Sequence, residues 1–256
     1  MLDYAAFPQQ RQALICQILQ EDGRVVCADL AQRLQVSEHT IRRDLHELSK
    51  EGYCKKVYGG AVMTLPESME YNERKEKNRA TKSRIAQKCA QLVKPGGCIF
   101  IDTGTTNLAM AEALPGELAL TVVTNSPEIA AVLLKKPLYE VVMLGGLVQR
   151  AAGGCVGASA VAQVQGILFD QGFIGGCAMA PESGLTGFDH ADCEFKKAVI
   201  KQCSEIIVGL TSDKIPAVAR FVVAESSAID VLVVEENISR KYRDAFHEHE
   251  IRIYTV

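Results

Sequence analysis

Ser37-Glu-His-Thr-Ile-Arg-Arg-Asp-Leu-His-Glu-Leu48, with Cys54-Lys-Lys-Val-Tyr-Gly-Gly60 just beyond it, decides how this chain is read. Ser37 is placed as an N-cap, its hydroxyl accepting from a backbone N–H of the first helical turn. Ile41, Leu45 and Leu48 recur at i, i+4 and i+7, so one stripe of the helix faces inward. His39, Thr40, Arg42 and Arg43 then fall on or beside the other faces, where side chains reach base edges and phosphates. An amphipathic helix with a solvated Arg-Arg pair is the plain alternative. Its surroundings decide between the two.

Upstream, apolar residues at 14, 15, 18 and 19 mark a helix with one buried face, and Gly23 is its expected stop. Val25-Val26 suits a short strand, Leu30 to Leu34 a second short helix, and Gln35-Val36-Ser37 a tight turn. Three helices with a short turn before the last make the helix-turn-helix plan, whose last helix enters the major groove. Beyond Gly52, the alternation of Tyr53, Lys55, Lys56, Val57 and Tyr58 suits a hairpin wing whose lysines meet the phosphate backbone. The expected ligand of this part is double-stranded DNA, with Ser37, His39, Thr40, Arg42, Arg43, Lys55, Lys56 and Tyr58 as candidate contacts.

Composition sets limits. The 256 residues are 48% hydrophobic, enough for a large core and two domains. A net charge of −3 means that DNA affinity must come from local clustering of lysine and arginine. The nine cysteines are scattered, without a C-x-x-C pair or zinc-site spacing. Cys16, Cys89, Cys98 and Cys203 lie in apolar periodic stretches and read as small buried hydrophobes in a reducing cytoplasm. His247-Glu-His249 reads as part of an exposed terminal loop, not as a metal pair, and no metal or cofactor is expected. No apolar run of about 18 residues and no signal-peptide pattern occurs, so neither export nor membrane spanning is expected.

Residues 63–80, rich in mixed charge, read as a connecting segment, helical and solvated, between a domain at 1–62 and another at 81–256. From Thr81 onward helical stretches alternate with the apolar runs Cys98–Ile101, Leu120–Val123, Val141–Leu144, Gly172–Ile174, Glu205–Val208 and Val231–Val234, the last closing the series. That succession predicts a mainly parallel sheet covered by helices on both faces, with ligands outside the carboxyl ends of its strands. The first such end, Asp102-Thr-Gly-Thr-Thr-Asn107, runs straight into a helix. Its glycine admits close approach, its hydroxyls donate, and the helix N-terminus favours an anion such as phosphate. Thr124-Asn125-Ser126 and Gly145-Gly146 place further small and hydroxylated residues at the same edge.

Several of these segments together resemble DeoR-type bacterial transcriptional regulators. The resemblance rests on Arg11, on Ser37 with Thr40-Ile-Arg-Arg-Asp-Leu45, and on the exit Val57-Tyr-Gly-Gly-Ala61, and it runs through nearly the whole chain. It implies a winged helix-turn-helix followed by an α/β effector domain similar to ribose-5-phosphate isomerase, and a phosphorylated sugar as effector. Asp102 would hold sugar hydroxyls, and Gly104, Thr105 and Thr106 the phosphate. Asn125 and Gly146 would line the cleft, with Lys214 at its edge, and Asp189, Glu194 and Lys196 match the family's segment after Gly184-Leu-Thr186. Asp44 would brace Arg42 or Arg43. Three positions depart from the pattern: Tyr58 stands where histidine is common, and Leu210 and Cys177 replace two acids. The loss of those carboxylates also leaves open a pocket that binds nothing. A sugar-phosphate isomerase is a further alternative, which Cys177 serves poorly as a base. One winged head is a small contact, so a dimer or tetramer reading paired half-sites is expected.

Overall fold

The computed structural model describes residues 7–63 and 71–256, with Gln20 and Glu21 described by their backbone alone. Residues 64–70 of the expected connecting segment lie outside the described residues.

The amino-terminal unit is built from α1 (Pro8–Asp22), β1 (Arg24–Val26), α2 (Cys27–Leu34), α3 (Glu38–Lys50), β2 (Cys54–Val57) and β3 (Gly60–Met63). Gly23 ends α1 in the left-handed conformation, its N–H returning to the Leu19 carbonyl at 2.8 Å. The Ser37 hydroxyl caps α3 by accepting from Thr40 N at 3.1 Å. Ile41, Leu45 and Leu48 are buried against Ile15, Leu19, Leu30 and Leu34. Burying each such side chain is worth about 1.5–3 kcal/mol. The exposed Arg42–Glu38 pair is worth about 0.3–0.5 kcal/mol, so the apolar stripe sets how α3 is rotated. Strands β2 and β3 form an antiparallel hairpin, and β1 pairs with the other edge of β3. This is a winged helix-turn-helix.

Asp44 corrects one expectation. It braces neither Arg42 nor Arg43, but lies buried on the inner face of α3 and accepts from Arg11 of α1 at 2.5 and 3.1 Å. Arg42 and Arg43 pair instead with Glu38 and Glu47 on their own helix.

Two helices, α4 (Tyr71–Glu76) and α5 (Arg79–Gln91), lead into the second unit. It continues β4 (Cys98–Ile101), α6 (Thr105–Ala113), β5 (Leu120–Thr124), α7 (Pro127–Leu133), β6 (Tyr139–Met143), β7 (Leu147–Gln149) and β8 (Gly154–Val156). Then come α8 (Ala158–Val164), β9 (Gln171–Ile174), β10 (Ala178–Ala180), β11 (Gly184–Gly187), α9 (His190–Ile200) and β12 (Ile206–Gly209). The last elements are β13 (Phe221–Ala224), β14 (Val231–Val234), α10 (Arg240–Glu248) and β15 (Arg252–Thr255). Among the described residues the largest sheet has seven strands in the order β15-β14-β12-β9-β4-β5-β6, every adjacent pair parallel. One apolar core lies on each face: Phe100, Phe169, Phe195 and Phe246 on one, Ile85, Ile99, Ile101 and Val122 on the other.

Other details differ from the sequence reading. Val231–Val234 does not close the sheet, because β15 adds an edge strand after α10. His247 and Glu248 end that helix and His249 caps it, so the segment is not a loop. Among the described residues no three His, Cys, Asp or Glu side chains are grouped to hold a metal. Helix α9 starts at His190 because the Asp189 side chain caps it, accepting from Asp192 N at 2.8 Å. Short antiparallel pairs, β7-β8 and β10-β11-β13, decorate the sheet and were not read from the sequence. All nine cysteines are free thiols; Cys89 is buried as expected, whereas Cys16, Cys98 and Cys203 are partly exposed.

Candidate functional site

The strand order itself places a cleft. From β4 the chain steps to β5 and β6 on one side, then returns to β9 on the other. The connections leaving β4 and β9 therefore diverge, and open α/β sheets bind ligands at the carboxyl ends where this reversal occurs. A cleft of about 650 Å3, its open mouth included, lies there. Thr103 to Asn107 wall one side and Gly175 to Cys177 the other, with Asp192 and Lys196 of α9 and its cap Asp189 opposite and Arg74 of α4 at the rim.

Gly104 caps α6 with φ 137°, a conformation that L side chains rarely adopt, which lets the chain turn at once from strand into helix. Asn107 then holds the two diverging ends together, donating to the Asp102 and Phe173 carbonyls at 2.9 and 3.0 Å. The first turn of α6 thereby lies at the cleft, with Thr105 and Thr106 in its lining, and a helix start carries N–H groups without intrahelical partners.

Behind this loop lies a buried charge cluster. Asp102 is wholly buried; its Oδ2 accepts from Gly175 N at 2.8 Å and lies 3.5 Å from Lys196 Nζ. Lys196 also pairs with Asp192, one helical turn earlier. Burial pushes the Asp102 carboxyl up to about 7, against the pull of Lys196. Burial works against the Lys196 charge too, but Asp102 and Asp192 outweigh it and hold its pKa above the usual lysine range. Among the described residues, the buried Oδ1 atoms of Asp102 and of Asp192 have no hydrogen-bond partner. Asp192 reaches the cleft and Asp102 is not part of its lining, so a ligand donor meets Asp192 first.

The residues singled out from sequence are thus divided. Gly104, Thr105 and Thr106 line the cleft. Asn125 is fully buried one layer back, accepting from Thr103 N at 3.1 Å and donating to the Cys155 carbonyl at 3.0 Å, so it shapes the loop. Gly146 lies exposed beyond β6, beside Val156 and Ala160, outside the cleft lining. Lys214 lies behind the lining and donates to the Gly176 carbonyl at 2.9 Å. Leu210 is buried in the core, and Cys177 lines the cleft. Sequence reasoning assigned no site role to Arg74 or Asp192. The i, i+4 spacing of Asp192 and Lys196 was the available signal for the latter.

On the amino-terminal unit, His39, Arg42 and Arg43 are exposed on α3, as are Lys55, Lys56 and Tyr58 on the wing. Ser37 and Thr40 are engaged with each other at the helix start, their hydroxyl oxygens 2.9 Å apart. Arg42, Lys56 and Tyr58 share one groove between α3 and the hairpin, which brings helix and wing onto a single basic face. His46, exposed one turn after Arg42, extends that face and was missed; its i+4 spacing from Arg42 was the signal.

A winged head with an exposed basic face, joined to an α/β domain with a cleft at its switch point, defines a ligand-responsive DNA-binding regulator. The description "DeoR-like helix-turn-helix domain" matches residues 11–66, and "DeoR C terminal sensor domain" matches residues 77–236. The chain belongs to the DeoR family of transcriptional regulators. The HTH-type transcriptional regulator GolR of Listeria innocua is 31% identical, covering 93% of this chain and 96% of its own. The glycerol-3-phosphate regulon repressor of Escherichia coli is 28% identical over 95% of this chain and 97% of its own. Among solved structures, ribose 5-phosphate isomerase A of Methanocaldococcus jannaschii overlays with a TM-score of 0.40 and 19% identity, covering 54% of this chain and 55% of that one.

Proposed function

We propose that this regulator is a cytoplasmic repressor of a carbohydrate-metabolism operon, tuned on its operator by a phosphorylated sugar. Residues 1–62 carry the DNA-binding head, 63–80 connect, and 81–256 carry the effector domain. The observation that carries the effector reading is the cleft at the β4/β9 reversal, with the first turn of α6 and the hydroxyls of Thr105 and Thr106 on one wall. On the other, Oδ1 of Asp192, without a hydrogen-bond partner among the described residues, asks for a donor such as a sugar hydroxyl. The name of the Escherichia coli relative, a glycerol-3-phosphate regulon repressor, supports a phosphorylated effector. Arg42, Arg43, His39, Lys55, Lys56 and Tyr58 meet the duplex, and a homodimer or larger assembly presents paired heads to paired half-sites. Effector and operator are linked: a ligand that prefers the assembly in which the heads are badly placed weakens DNA binding by the same factor that DNA weakens its own.

Asp189 and Asp192 supply carboxylates to the cleft, yet Asp192 is tied to Lys196, and an isomerase has no use for a DNA-binding head. The reading as a non-enzyme rests on that fusion and on relatives that are transcriptional regulators.

The deciding experiment is a thermal-shift screen of the full chain against sugars with and without phosphate, with Thr105→Ala alongside. One sugar phosphate is expected to raise Tm, by about 2.7 kcal/mol of stabilisation at a hundredfold excess over its Kd, and to lose most of that in the variant. If no phosphorylated compound shifts Tm, the effector reading fails.

A further inference from the structure

One wall of the cleft comes from outside the strand–helix succession of the effector domain. Arg74 sits on α4, in the segment that leads from wing strand β3 toward that domain. A set of contacts straps α4 across the carboxyl edge of the sheet. Lys75 Nζ and the Tyr71 hydroxyl meet Glu128 of α7 at 3.1 and 3.3 Å, and Lys77 pairs with Asp213 at 3.2 Å. Lys82 Nζ donates to the Arg74 carbonyl. The Tyr71 ring is seated so closely on the β7–β8 turn that a Cβ at Gly153 would fall 2.5 Å from it.

Strapped in this way, the guanidinium of Arg74 is only partly satisfied. Nη2 donates to the Ala151 carbonyl at 2.5 Å, and the group lies over the Tyr71 ring, 5.6 Å from its centroid. Nε is buried and has no hydrogen-bond partner among the described residues. A charged donor buried without an acceptor loses its hydration with nothing in return, so the fold keeps this N–H unused at a cost. Two lysines, Lys82 and Lys214, add positive charge nearby, while Asp189 and Asp192 stand elsewhere in the cleft lining and Asp213 lies by the lysines. Burial, then the nearby charges of Lys214 and Arg74, push Lys82 down to about 8, and Lys214 is lowered by burial despite Cys177 and Asp213. An anion in the cleft would answer the unused donor of Arg74, and Thr105 and Thr106 of α6 stand in the same cleft.

We propose that Arg74 is an effector-binding residue, its Nε–H taking an oxygen of the phosphate monoester held at the start of α6. This rests on the effector reading above and extends it: the ligand is clamped between the sensor domain and the helix that follows the wing. Occupancy therefore changes the hold on α4, whose amino-terminal end is connected through residues 64–70 to the DNA-binding head. The clamp demands a ligand with a phosphate at one end and hydroxyl donors for Asp192 at the other.

The test uses the full-length chain and inorganic phosphate as the probe. Arginine Nε–H resonances are followed by NMR during the titration, with the Arg74 signal assigned by its loss in Arg74→Lys. The expected result is a saturable shift of that signal, with phosphate binding about tenfold or more weaker in Arg74→Gln, as the loss of one charge-assisted hydrogen bond implies. Unliganded Tm checks the fold of each variant; if Arg74→Gln melts early, the resonance shift in the native protein decides the matter alone. A motionless Arg74 signal, while phosphate still raises Tm and Thr105→Ala abolishes that rise, overturns this proposal and leaves the effector reading standing. If phosphate neither shifts the signal nor raises Tm, both fall together.

Discussion

Single side chains divide here into those whose role local spacing reveals and those whose partner lies far along the chain. Ser37 belongs to the first kind, because a cap bonds three residues ahead. Asp44 belongs to the second. From its neighbours it could only be paired with Arg42 or Arg43, yet helical rotation turns it inward to Arg11, thirty-three residues away. That leaves the exposed basic residues free of Asp44, which suits the wing lysines to act as plain phosphate contacts. Lys55→Ala should weaken operator and unrelated duplex alike, and lower the slope of log K against log salt by about 1. Titrating both duplexes at several salt concentrations checks this; a change in sequence preference would argue against a phosphate contact. The site residues divide the same way. Thr105 and Thr106 were legible because a strand end, a glycine and a helix start are adjacent in sequence. Asp192 and Arg74 were not, because α9 and α4 reach the cleft only through packing.

At the scale of elements, the apolar runs identify the interior strands, which are buried on both faces and so read as unbroken apolar stretches. The edge strand β15 and β13 are partly exposed, β7, β8 and β10 are only three residues long, and β11 reads Gly-Leu-Thr-Gly with no apolar run, so these escape that signal. What braces the amino ends of the strands is also hidden from the sequence. Glu205, entering β12, accepts from Gln171 of β9 at 2.8 Å and meets Arg252 of β15 at 2.5 Å and Lys94 at 2.8 Å. Burial raises its pKa, but these three donors outweigh it and hold the carboxyl down near 2. A depressed carboxyl stabilises the fold above its unfolded pKa, near 4.5, and the stabilisation is lost as pH falls toward 2. Glu205→Gln should therefore be less stable than the native chain at pH 7 by about 2 kcal/mol, and the gap should close between pH 4.5 and 2. Urea unfolding of both proteins across that range is the measurement. A gap that does not change with pH would mean that the carboxylate charge is not what holds the brace.

At the scale of the molecule, the head and the effector domain meet along the β1 edge. Arg24 pairs with Glu182 at 2.7 Å, the Tyr242 hydroxyl donates to the Asp22 carbonyl, and Gly23 lies against Pro216. Pro216 follows closely on Lys214, which bonds Gly176 at the cleft, so the joint and the cleft share one short segment. Gly23 has φ 67°, and a Cβ there would fall 2.1 Å from Pro216 Cγ. Gly96, with φ 76° and no atom within 4 Å of such a Cβ, isolates the backbone part of the effect. Gly96→Ala should cost about 1–2 kcal/mol from the left-handed conformation alone, and Gly23→Ala measurably more. Equal losses on thermal unfolding would show that head and effector domain do not touch there in solution.

Two units, a winged helix-turn-helix and a helix-covered parallel sheet, follow from the order of residues, because hydrophobic period, caps and turns are set by neighbours a few positions apart. The phosphate-type loop after β4 follows for the same reason. Which strand ends lie side by side, that Asp102 lies beside Lys196, and that Arg74 stands at the cleft were decided by the folded chain. Those contacts depend on the strand order and on which faces pack together, and a linear pattern carries no record of distances between residues tens or hundreds of positions apart.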